Sequence, residues 1–581
     1  MLFNSYIFLF AFLPLAFAGF ALLAGRDDRR PAKVWLIVCS LAFYGWFAVA
    51  DVPVILASIA ANYLLARTIA AAPGEAGRAR RNLVFRLGVA ANVALLAYFK
   101  YTRFFLTEVL SLFGLSVPAP AIVLPLGISF FTFQQIIFLR DIRSGAVTQF
   151  NVLDYVFCVT FFPHLIAGPI IKYKNILAQL ASRAFFGLSP VFMASGFAWL
   201  TLGLVKKVLV ADLIAPYANA VFSQAAAGGP LDGAAAWVGV LAYTFQIYFD
   251  FSGYSDMAIG LALLFKIELP VNFDSPYKSQ SIVEFWRRWH ITLSWFLREC
   301  LYIPLGGNRH GALRQYANLL VTMLLGGLWH GAGYGFILWG GVHGLALAAT
   351  HAATRLRGAA GPAGRAGRGA AVAGTFALTA LAWVLFRADT LPTAGRVYAA
   401  LFGAGGGAGG PLYDWPVWSA LAGCAAVSFF CAQHPADHGR CATAHRGLPG
   451  SGRIACAAPH AVAADCGLGG AAGAAFFRGG DESIQCHGFF VFSVLIRRAL
   501  SDSGKWLDCR RDGEGVWSLC CSCGFIGLFS AAAPQARPES APIPPPWTAR
   551  WPRPRRNESA AASKTATGRS GLPPGRRFPR I

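Results

Sequence analysis

Apolar stretches of about 20 residues recur along the first 430 residues of this chain. Each is long enough to cross the hydrocarbon core of a bilayer as a helix, which satisfies its backbone hydrogen bonds internally. The stretches therefore predict an all-α, polytopic membrane protein with about ten or more transmembrane helices. They span residues 5–23, 34–49, 52–66, 83–98, 122–139, 155–171, 191–210, 237–248, 319–339 and 370–386.

The composition agrees with a lipid environment, because 56% of the residues are hydrophobic and only 13% are charged. Soluble domains carry about 25% charged residues. The formal net charge of +23 comes from basic residues in short loops between apolar stretches, so we expect a lipid bilayer and no nucleic acid as partner. The Arg-rich loops 25–33, 67–86 and 355–368 predict a periplasmic N-terminus by the positive-inside rule.

The character of the sequence changes near residue 430, which divides a domain over 1–430 from a tail over 431–581. Of the 13 cysteines only Cys39, Cys158, Cys300 and Cys424 precede this point, and the tail is rich in Arg and Pro. Two interpretations remain open: a genuine appendix, or an out-of-frame translation that has lost the last membrane helices. Composition favours the frameshift and predicts disorder after about residue 530. The CxxC spacing of Cys520 and Cys523 has no second pair, so no metal site is predicted.

Polar residues concentrate between residues 246 and 309, within and after an apolar stretch. Ionisable side chains inside a membrane are costly and usually face a cavity or a partner. Ser252 and Asp256 are four residues apart, so they share a face if the segment is helical. The alternative is a packing seam, but two carboxylates there need cationic partners. The predicted partners are Arg287, Arg288 and Arg298, which follow in the sequence.

Residues 281–302 have a different pattern, with aromatic and aliphatic residues at steps of three and four and charges on other faces. The pattern predicts one amphipathic helix at the membrane interface, with its Trp residues at headgroup depth. His290 lies on this helix. Considered alone, it is more typical of a hydrogen-bonded structural histidine.

Glycines and two histidines fill the stretch GGLWHGAGYGFILWGGVHG, residues 326–344. In lipid such glycines permit close helix contact or a break that lines a cavity. His330 lies at its centre, and an imidazole with a pKa of about 6.5 exchanges a proton readily. A packed His330 bonded to a carbonyl is an equal alternative. His343 is interpreted as a packing residue.

Five ordered blocks within residues 1–430 together resemble the membrane-bound O-acyltransferase family, in the bacterial branch of alginate O-acetylation and teichoic acid D-alanylation. The tail does not share the resemblance. The blocks are LPLGISFFTFQQ (124–135), FFPHLIAGPIIKY (161–173), YFDFSGYSDMAIG (248–260), WRRWHITLSWFLRECLYIPLGGNRHG (286–311) and GGLWHGAGYGFILWGGVHG (326–344).

The resemblance implies interfacial and re-entrant helices around a central buried site, where an acyl group passes from a cytoplasmic donor to a hydroxyl. By motif position, His330 corresponds to the family's catalytic histidine and His290 to its second polar position. We expect His330 to act as general base and His290 to orient it or polarise the acyl carbonyl. The cavity-lining residues predicted with them are Asp250, Ser252, Asp256, Arg287, Arg288, Asn308 and Trp329.

The sequence thus predicts an inner-membrane O-acyltransferase that moves acetyl groups for O-acetylation of an exported polysaccharide such as alginate. No cofactor is expected to be tightly bound, and the donor is predicted to be acetyl-CoA or another activated acetyl. A periplasmic acetyltransferase and polysaccharide export machinery are the predicted partners. D-alanyl transfer for teichoic acid remains an alternative, as does a proton-coupled transporter or flippase, although no internal repeat supports the transporter.

Overall fold

The structure is a computed structural model that describes residues 1–72, 74–181, 188–357, 364–403 and 415–430. The predictions for the tail over 431–581, including Cys520 and Cys523, lie outside these residues. Every secondary-structure element in the described ranges is helical, as predicted. The α-helices are α1 (Leu13–Ala24), α2 (Arg30–Gly45), α3 (Asp51–Ala70), α4 (Arg78–Phe104), α5 (Ile128–Arg143), α6 (Val152–Thr160), α7 (Phe162–Leu165), α8 (Tyr173–Ala181), α9 (Pro190–Leu204), α10 (Asp212–Ala226), α11 (Gly233–Leu264), α12 (Ile282–Arg288), α13 (Ile291–Leu297), α14 (Gly311–His330), α15 (Tyr334–Arg357), α16 (Arg365–Arg387), α17 (Leu391–Leu401) and α18 (Trp415–Phe430).

Shorter elements extend several of these helices. Two are 3-10 turns, at Leu110–Phe113 and Pro276–Lys278, and four are π-helical segments, at Phe8–Phe12, Phe105–Val109, Val205–Ala211 and Arg298–Tyr302.

Four helical segments in the described ranges are long and apolar enough to cross a membrane, by length and composition: Val49–Ala70, Arg78–Phe113, Tyr334–Leu356 and Arg365–Arg387. Their outer faces expose large apolar side chains, among them Leu64 at 63%, Leu83 at 58% and Leu345 at 60%. Exposed apolar surface of this extent is typical of contact with lipid. The protein is therefore a multi-pass membrane protein, although the predicted ten or more spans are not confirmed.

Two predicted spans are shorter or broken in the structure. In the 122–139 stretch the helix begins only at Ile128, because Gly127 has a left-handed backbone with φ of 68°. In the 155–171 stretch α6 ends before Phe161, whose φ and ψ of −52° and 109° are not helical, and the short α7 follows with Pro163 near its start. The side chains of α7 are all buried, so this stretch lies inside the protein.

The longest helix, α11, occupies the centre of the fold. Its 32 residues extend about 48 Å at 1.5 Å per residue. It packs closely on α9, because a Cβ at Gly203 would lie 2.5 Å from the Gly253 carbonyl oxygen. This approach brings the π-helical segment Val205–Ala211, with its two lysines, against the polar half of α11.

The segment 281–302 is not one interfacial helix, and that prediction is wrong. Helix α12 ends at Arg288, His290 has a left-handed backbone with φ of 42°, and α13 then begins at Ile291. Most of its aromatic residues are buried within the protein; Phe285 is 1% exposed and Trp289 is 2% exposed. The periodicity predicts the two helical halves but does not detect the break at Trp289 and His290 that separates them.

The stretch 319–339 is likewise two helices rather than one span. Helix α14 ends at His330, residues 331–333 turn, and α15 begins at Tyr334. The two helices touch backbone to backbone, because a Cβ at Gly327 would lie 2.1 Å from the Phe336 carbonyl oxygen. The glycines of this stretch thus serve both purposes predicted for them, close helix contact and a break.

Candidate active site

His330 is the last residue of α14, and residues of α4 hold the end of that helix. The Lys100 ammonium donates hydrogen bonds to the carbonyl oxygens of Trp329 and, at 3.3 Å, of His330. The Tyr101 hydroxyl donates to the Leu328 carbonyl oxygen at 2.9 Å. A cation that binds the last carbonyls of a helix also interacts favourably with its dipole. Lys100 therefore fixes the backbone from which the His330 side chain projects.

Removal of this cap is expected to destabilise the protein measurably. Lys100→Met leaves carbonyls of α14 without a donor, at a cost of about 1–3 kcal/mol. Arg103→Met is the matched control, because Arg103 also lies on α4 and is exposed. Thermal unfolding of the two purified variants in detergent should show a lower midpoint for Lys100→Met, and equal midpoints would contradict the capping role.

The His330 ring is surrounded by aromatic side chains and forms part of the wall of a cavity. Its centroid is 4.8 Å from that of Trp329, 5.2 Å from Trp339 and 5.1 Å from Phe386. Among the described residues no side chain or backbone group makes a hydrogen bond to its ring nitrogens, so the carbonyl-bonded alternative does not match the geometry. The cavity has a volume of about 350 Å³ and is lined by Tyr243, Gln246, Ile247, Asp250, Phe251, Trp289, His330, Trp383 and Phe386.

His290 lies beside this cavity wall, with its side chain 1% exposed. Its ring centroid is 6.5 Å from that of His330 and 4.8 Å from that of Phe251. Its Nδ1 is 3.0 Å from Asn272 Oδ1, whereas its buried Nε2 has no hydrogen-bond partner among the described residues. The left-handed backbone at 290 costs of order 1 kcal/mol for a residue other than glycine, so neighbouring contacts must hold it.

The two imidazoles are too far apart to bond directly. With centroids 6.5 Å apart, two ring nitrogens come no closer than about 4 Å, beyond the usual hydrogen-bond length of roughly 3.2 Å. The two rings therefore lie near each other without a direct hydrogen bond.

The carboxylates of α11 pair with lysines rather than with the predicted arginines. Asp256 accepts from Lys206 at 2.6 Å, and Asp250 accepts from Lys207 at 2.9 Å. Lys207 also lies 2.9 Å from Asp212. The prediction of Arg287, Arg288 and Arg298 as partners is wrong, because the close α9–α11 packing brings the lysines to these carboxylates from a distant part of the sequence.

The predicted cavity residues divide into two groups. Asp250 and His330 line the cavity, whereas the other six side chains are not among its lining residues. Ser252 is buried in α11, Asp256 bonds Lys206, and Trp329 stacks on Phe133 at 5.1 Å. Of the remaining three, Arg287 and Asn308 are exposed, and Arg288 pairs with Glu284 at 3.0 Å.

Sequence reasoning did not single out Lys100, Lys207, Asn272, Gln246 or Trp383. Lys100 carried one signal, an isolated charge near the end of an otherwise apolar stretch. His343 is fully buried and accepts a hydrogen bond from Trp286 Nε1 at 3.3 Å, which fits a packing residue. No group of three His, Cys, Asp or Glu side chains able to hold a metal ion occurs in the part of the chain that the structure describes.

Several known proteins have sequences similar to this chain. Residues 131–381, which include both histidines, match the family described as MBOAT, membrane-bound O-acyltransferase family. The peptidoglycan O-acetyltransferase of Helicobacter pylori is 42% identical over 435 residues, 70% of this chain and 80% of the relative. The probable alginate O-acetylase AlgI of Pseudomonas aeruginosa is 42% identical over 411 residues, covering 70% and 75%. The teichoic acid D-alanyltransferase of Streptococcus thermophilus is 29% identical over 235 residues, covering 38% and 55%.

Proposed function

The chain belongs to the membrane-bound O-acyltransferase family, and from this premise we propose that it is an O-acetyltransferase for an exported polysaccharide. The observation that supports the proposal most is the pair of imidazoles, whose ring centroids are 6.5 Å apart beside an aromatic cavity. The family assignment favours an enzyme over the alternative of a proton-coupled transporter. We place the enzyme in the bacterial inner membrane, with the N-terminus periplasmic as the Arg-rich loops predict.

The polar atoms around the cavity suit a hydroxyl acceptor. Gln246 and Asp250 line the cavity with His330, and Gln246 Oε1 has no hydrogen-bond partner among the described residues. Amide and carboxylate oxygens accept hydrogen bonds from hydroxyl groups. The aromatic walls of Trp289, Trp383 and Phe386 exclude water from a reactive acyl group.

His290 and His330 are the proposed catalytic residues. An acceptor hydroxyl between the rings loses its proton to one imidazole as its oxygen attacks the acyl carbon. The other ring donates a hydrogen bond to the carbonyl oxygen, which gains negative charge in the transition state. Proton transfer of this kind contributes typically about 10²–10⁴-fold to the rate.

Acetyl-CoA or another activated acetyl is the proposed donor, with no tightly bound cofactor. Relatives named for O-acetylation are 40–42% identical to this chain, whereas those named for D-alanyl transfer are 28–29% identical. Acetyl transfer is therefore favoured over D-alanyl transfer. The acceptor is proposed to be alginate or another exported polysaccharide, reached through a periplasmic acetyltransferase next to the export machinery.

The donor is tested in membranes from cells that express the full chain. Membranes supplied with acetyl-CoA labelled in the acetyl group should release free thiol and place label in ester linkage on polysaccharide. Membranes that carry the inactive double variant His290→Ala, His330→Ala are the control. Label transfer from a D-alanyl thioester carrier, with none from acetyl-CoA, would instead identify the D-alanyl reaction and contradict the proposal.

A further inference from the structure

We propose that Asp250 determines the specificity of the cavity and that Lys207 positions it, so that the cavity binds an uncharged hydroxyl compound and excludes one that carries a carboxylate. The inference rests on the proposed O-acetyltransferase function and names the chemical class of acceptor that enters the cavity. Besides His330, Asp250 is the only acidic or basic residue that lines the cavity. Its carboxylate therefore sets the charge that a ligand meets there.

The Asp250 carboxylate has one oxygen that is open to a ligand. Its Oδ2 accepts a hydrogen bond from Lys207 at 2.9 Å, whereas its Oδ1 has no hydrogen-bond partner among the described residues and is not buried. The side chain is 40% exposed and lines the cavity. A carboxylate oxygen accepts hydrogen bonds and a hydroxyl group donates one. Oδ1 is therefore a binding atom for a hydroxyl of the acceptor.

The close packing of α11 on the π-helical segment Val205–Ala211 brings Lys207 to this carboxylate. A Cβ at Gly253 would lie 3.0 Å from Lys206 Cβ and 3.1 Å from the Lys207 backbone nitrogen. The two carboxylates lie three residues before and three residues after this glycine. Each lysine therefore reaches one of them, Lys207 the carboxylate at the cavity and Lys206 the buried one.

Lys207 holds Asp250 through a contact that also includes a second helix. Its Nζ lies 2.9 Å from Asp250 Oδ2 and 2.9 Å from Oδ1 of Asp212, the first residue of α10. We call these three residues the lysine–carboxylate trio. Charge-assisted hydrogen bonds are about twice as strong as neutral ones, and two of them restrict the Lys207 side chain to one arrangement. The trio thus fixes the direction in which the Asp250 carboxylate is held.

The charges near the cavity do not cancel. One cation and two carboxylates leave the trio with one negative charge. The Arg387 guanidinium lies 5.9 Å from the ring centroid of the cavity residue Tyr243, but Asp389 lies 3.9 Å from it and balances its charge. Like charges brought together in a partly dry site repel strongly, which discriminates against the wrong ligand. An anionic polysaccharide therefore receives its acetyl group through the periplasmic partner and not in this cavity.

The size and the walls of the cavity suit a ligand as small as one sugar ring. Cavities that bind small molecules usually measure about 300–1,000 Å³ and combine apolar walls with a few polar groups. This cavity, of about 350 Å³, is at the lower end of the range. Tyr243, Gln246 and Asp250 are spaced by three and four residues and share one face of α11, and Trp289, Trp383 and Phe386 supply aromatic wall.

Glucose and glucuronate are a matched pair of probes, because they differ only in a CH₂OH group that is a carboxylate in glucuronate. Saturation-transfer NMR of the purified full chain in detergent, without an acetyl donor, measures the binding of each sugar. Glucose is expected to bind at least about tenfold more tightly than glucuronate, because only glucuronate is repelled by the trio. Equal binding, tighter binding of glucuronate, or binding of neither sugar would overturn the inference.

Four substitutions separate the charge of Asp250, its hydrogen bond and its position. Asp250→Asn keeps an acceptor oxygen and removes the charge, so the preference for glucose should fall to within about threefold. Asp250→Leu should lose glucose binding. Lys207→Met should weaken glucose binding about tenfold, and Lys207→Arg should restore it, because arginine also donates to carboxylates. An unchanged preference in Asp250→Asn would remove the charge effect, and unchanged binding in Lys207→Met would remove the positioning role.

The neighbouring ion pair provides the matched control. Lys206 and Asp256 join the same two segments at 2.6 Å, but neither side chain lines the cavity. Replacement of a buried ion pair by apolar residues of similar volume is often neutral or stabilising, so the double variant Lys206→Met, Asp256→Leu is used. It should bind both sugars as wild type does, per folded protein. A loss as large as that of Lys207→Met would assign the effect to helix packing and overturn the positioning role.

Turnover distinguishes this inference from the proposed function. Release of thiol from labelled acetyl-CoA tests the proposed function, and ester-linked label on the two sugars tests the choice of acceptor. Label is expected on glucose and at least about tenfold less on glucuronate. Thiol release with equal label on both sugars would overturn the inference and leave the proposed function intact. A preference for glucose in the NMR measurement would support the inference even if acetyl-CoA were not consumed.

Discussion

His330→Ala is expected to abolish acyl transfer while the protein still inserts into the membrane. The His330 ring lines the cavity and makes no hydrogen bond to the described residues, so its loss should affect chemistry more than stability. We expect transfer to fall by about 10²–10⁴-fold, the usual contribution of a positioned proton-transfer group. The measurement is label transfer from acetyl-CoA in membranes, normalised to the amount of inserted protein.

The matched control is His310→Ala at the opposite end of the same helix. His310 is exposed and precedes α14, whereas His330 ends it. His310→Ala should transfer acetyl at the wild-type rate. A His330→Ala protein that keeps more than about a tenth of wild-type activity would remove His330 from the reaction.

Gly340→Val is expected to prevent correct folding. A Cβ at Gly340 would lie 2.2 Å from the Met323 carbonyl oxygen, and the atom it meets is backbone that cannot rotate away. The α14–α15 contact would have to open, which would displace His330 and the cavity wall. Overpacking usually costs about 1–3 kcal/mol, and a clash with the backbone of α14 should exceed this range. Size-exclusion chromatography in detergent should show aggregated or degraded protein.

A glycine of a neighbouring helix provides the comparison. Gly374 lies on α16, where an added Cβ meets nothing within 4 Å. Gly374→Ala should elute as wild type and gain up to about 1 kcal/mol from its higher helix propensity. Normal folding of Gly340→Val would show that the protein does not require such a close α14–α15 contact in order to fold.

Local features of the sequence predicted the helical class and the lipid environment. The residues of an apolar stretch determine its free energy of transfer from water into lipid. This free energy depends on the stretch itself and not on neighbouring segments. Glycines around His330 likewise indicated close contact or a break before any partner helix was known. The number of spans was predicted less well, because an apolar helix can be buried either in lipid or inside the protein. Helix α11 is such an apolar helix, and most of its residues are buried by other parts of the protein.

Periodicity failed where one residue changes the direction of the chain. The apolar pattern continues through residues 281–302, but His290 adopts a left-handed backbone and splits the segment into α12 and α13. That conformation is held by Asn272 and Thr292, and only the folded chain brings Asn272 to it. A pattern within one segment contains no information about such an external partner.

The sequence by itself determined which segments are helical and apolar, and which side chains can exchange a proton, because these properties belong to single residues and their near neighbours. The tertiary structure alone decided the partners: Lys207 for Asp250, Lys100 for the end of α14, and Asn272 for His290. Each partner comes from a different element, and hydrogen bonds act only over about 3 Å. Helix packing must therefore be complete before the site exists.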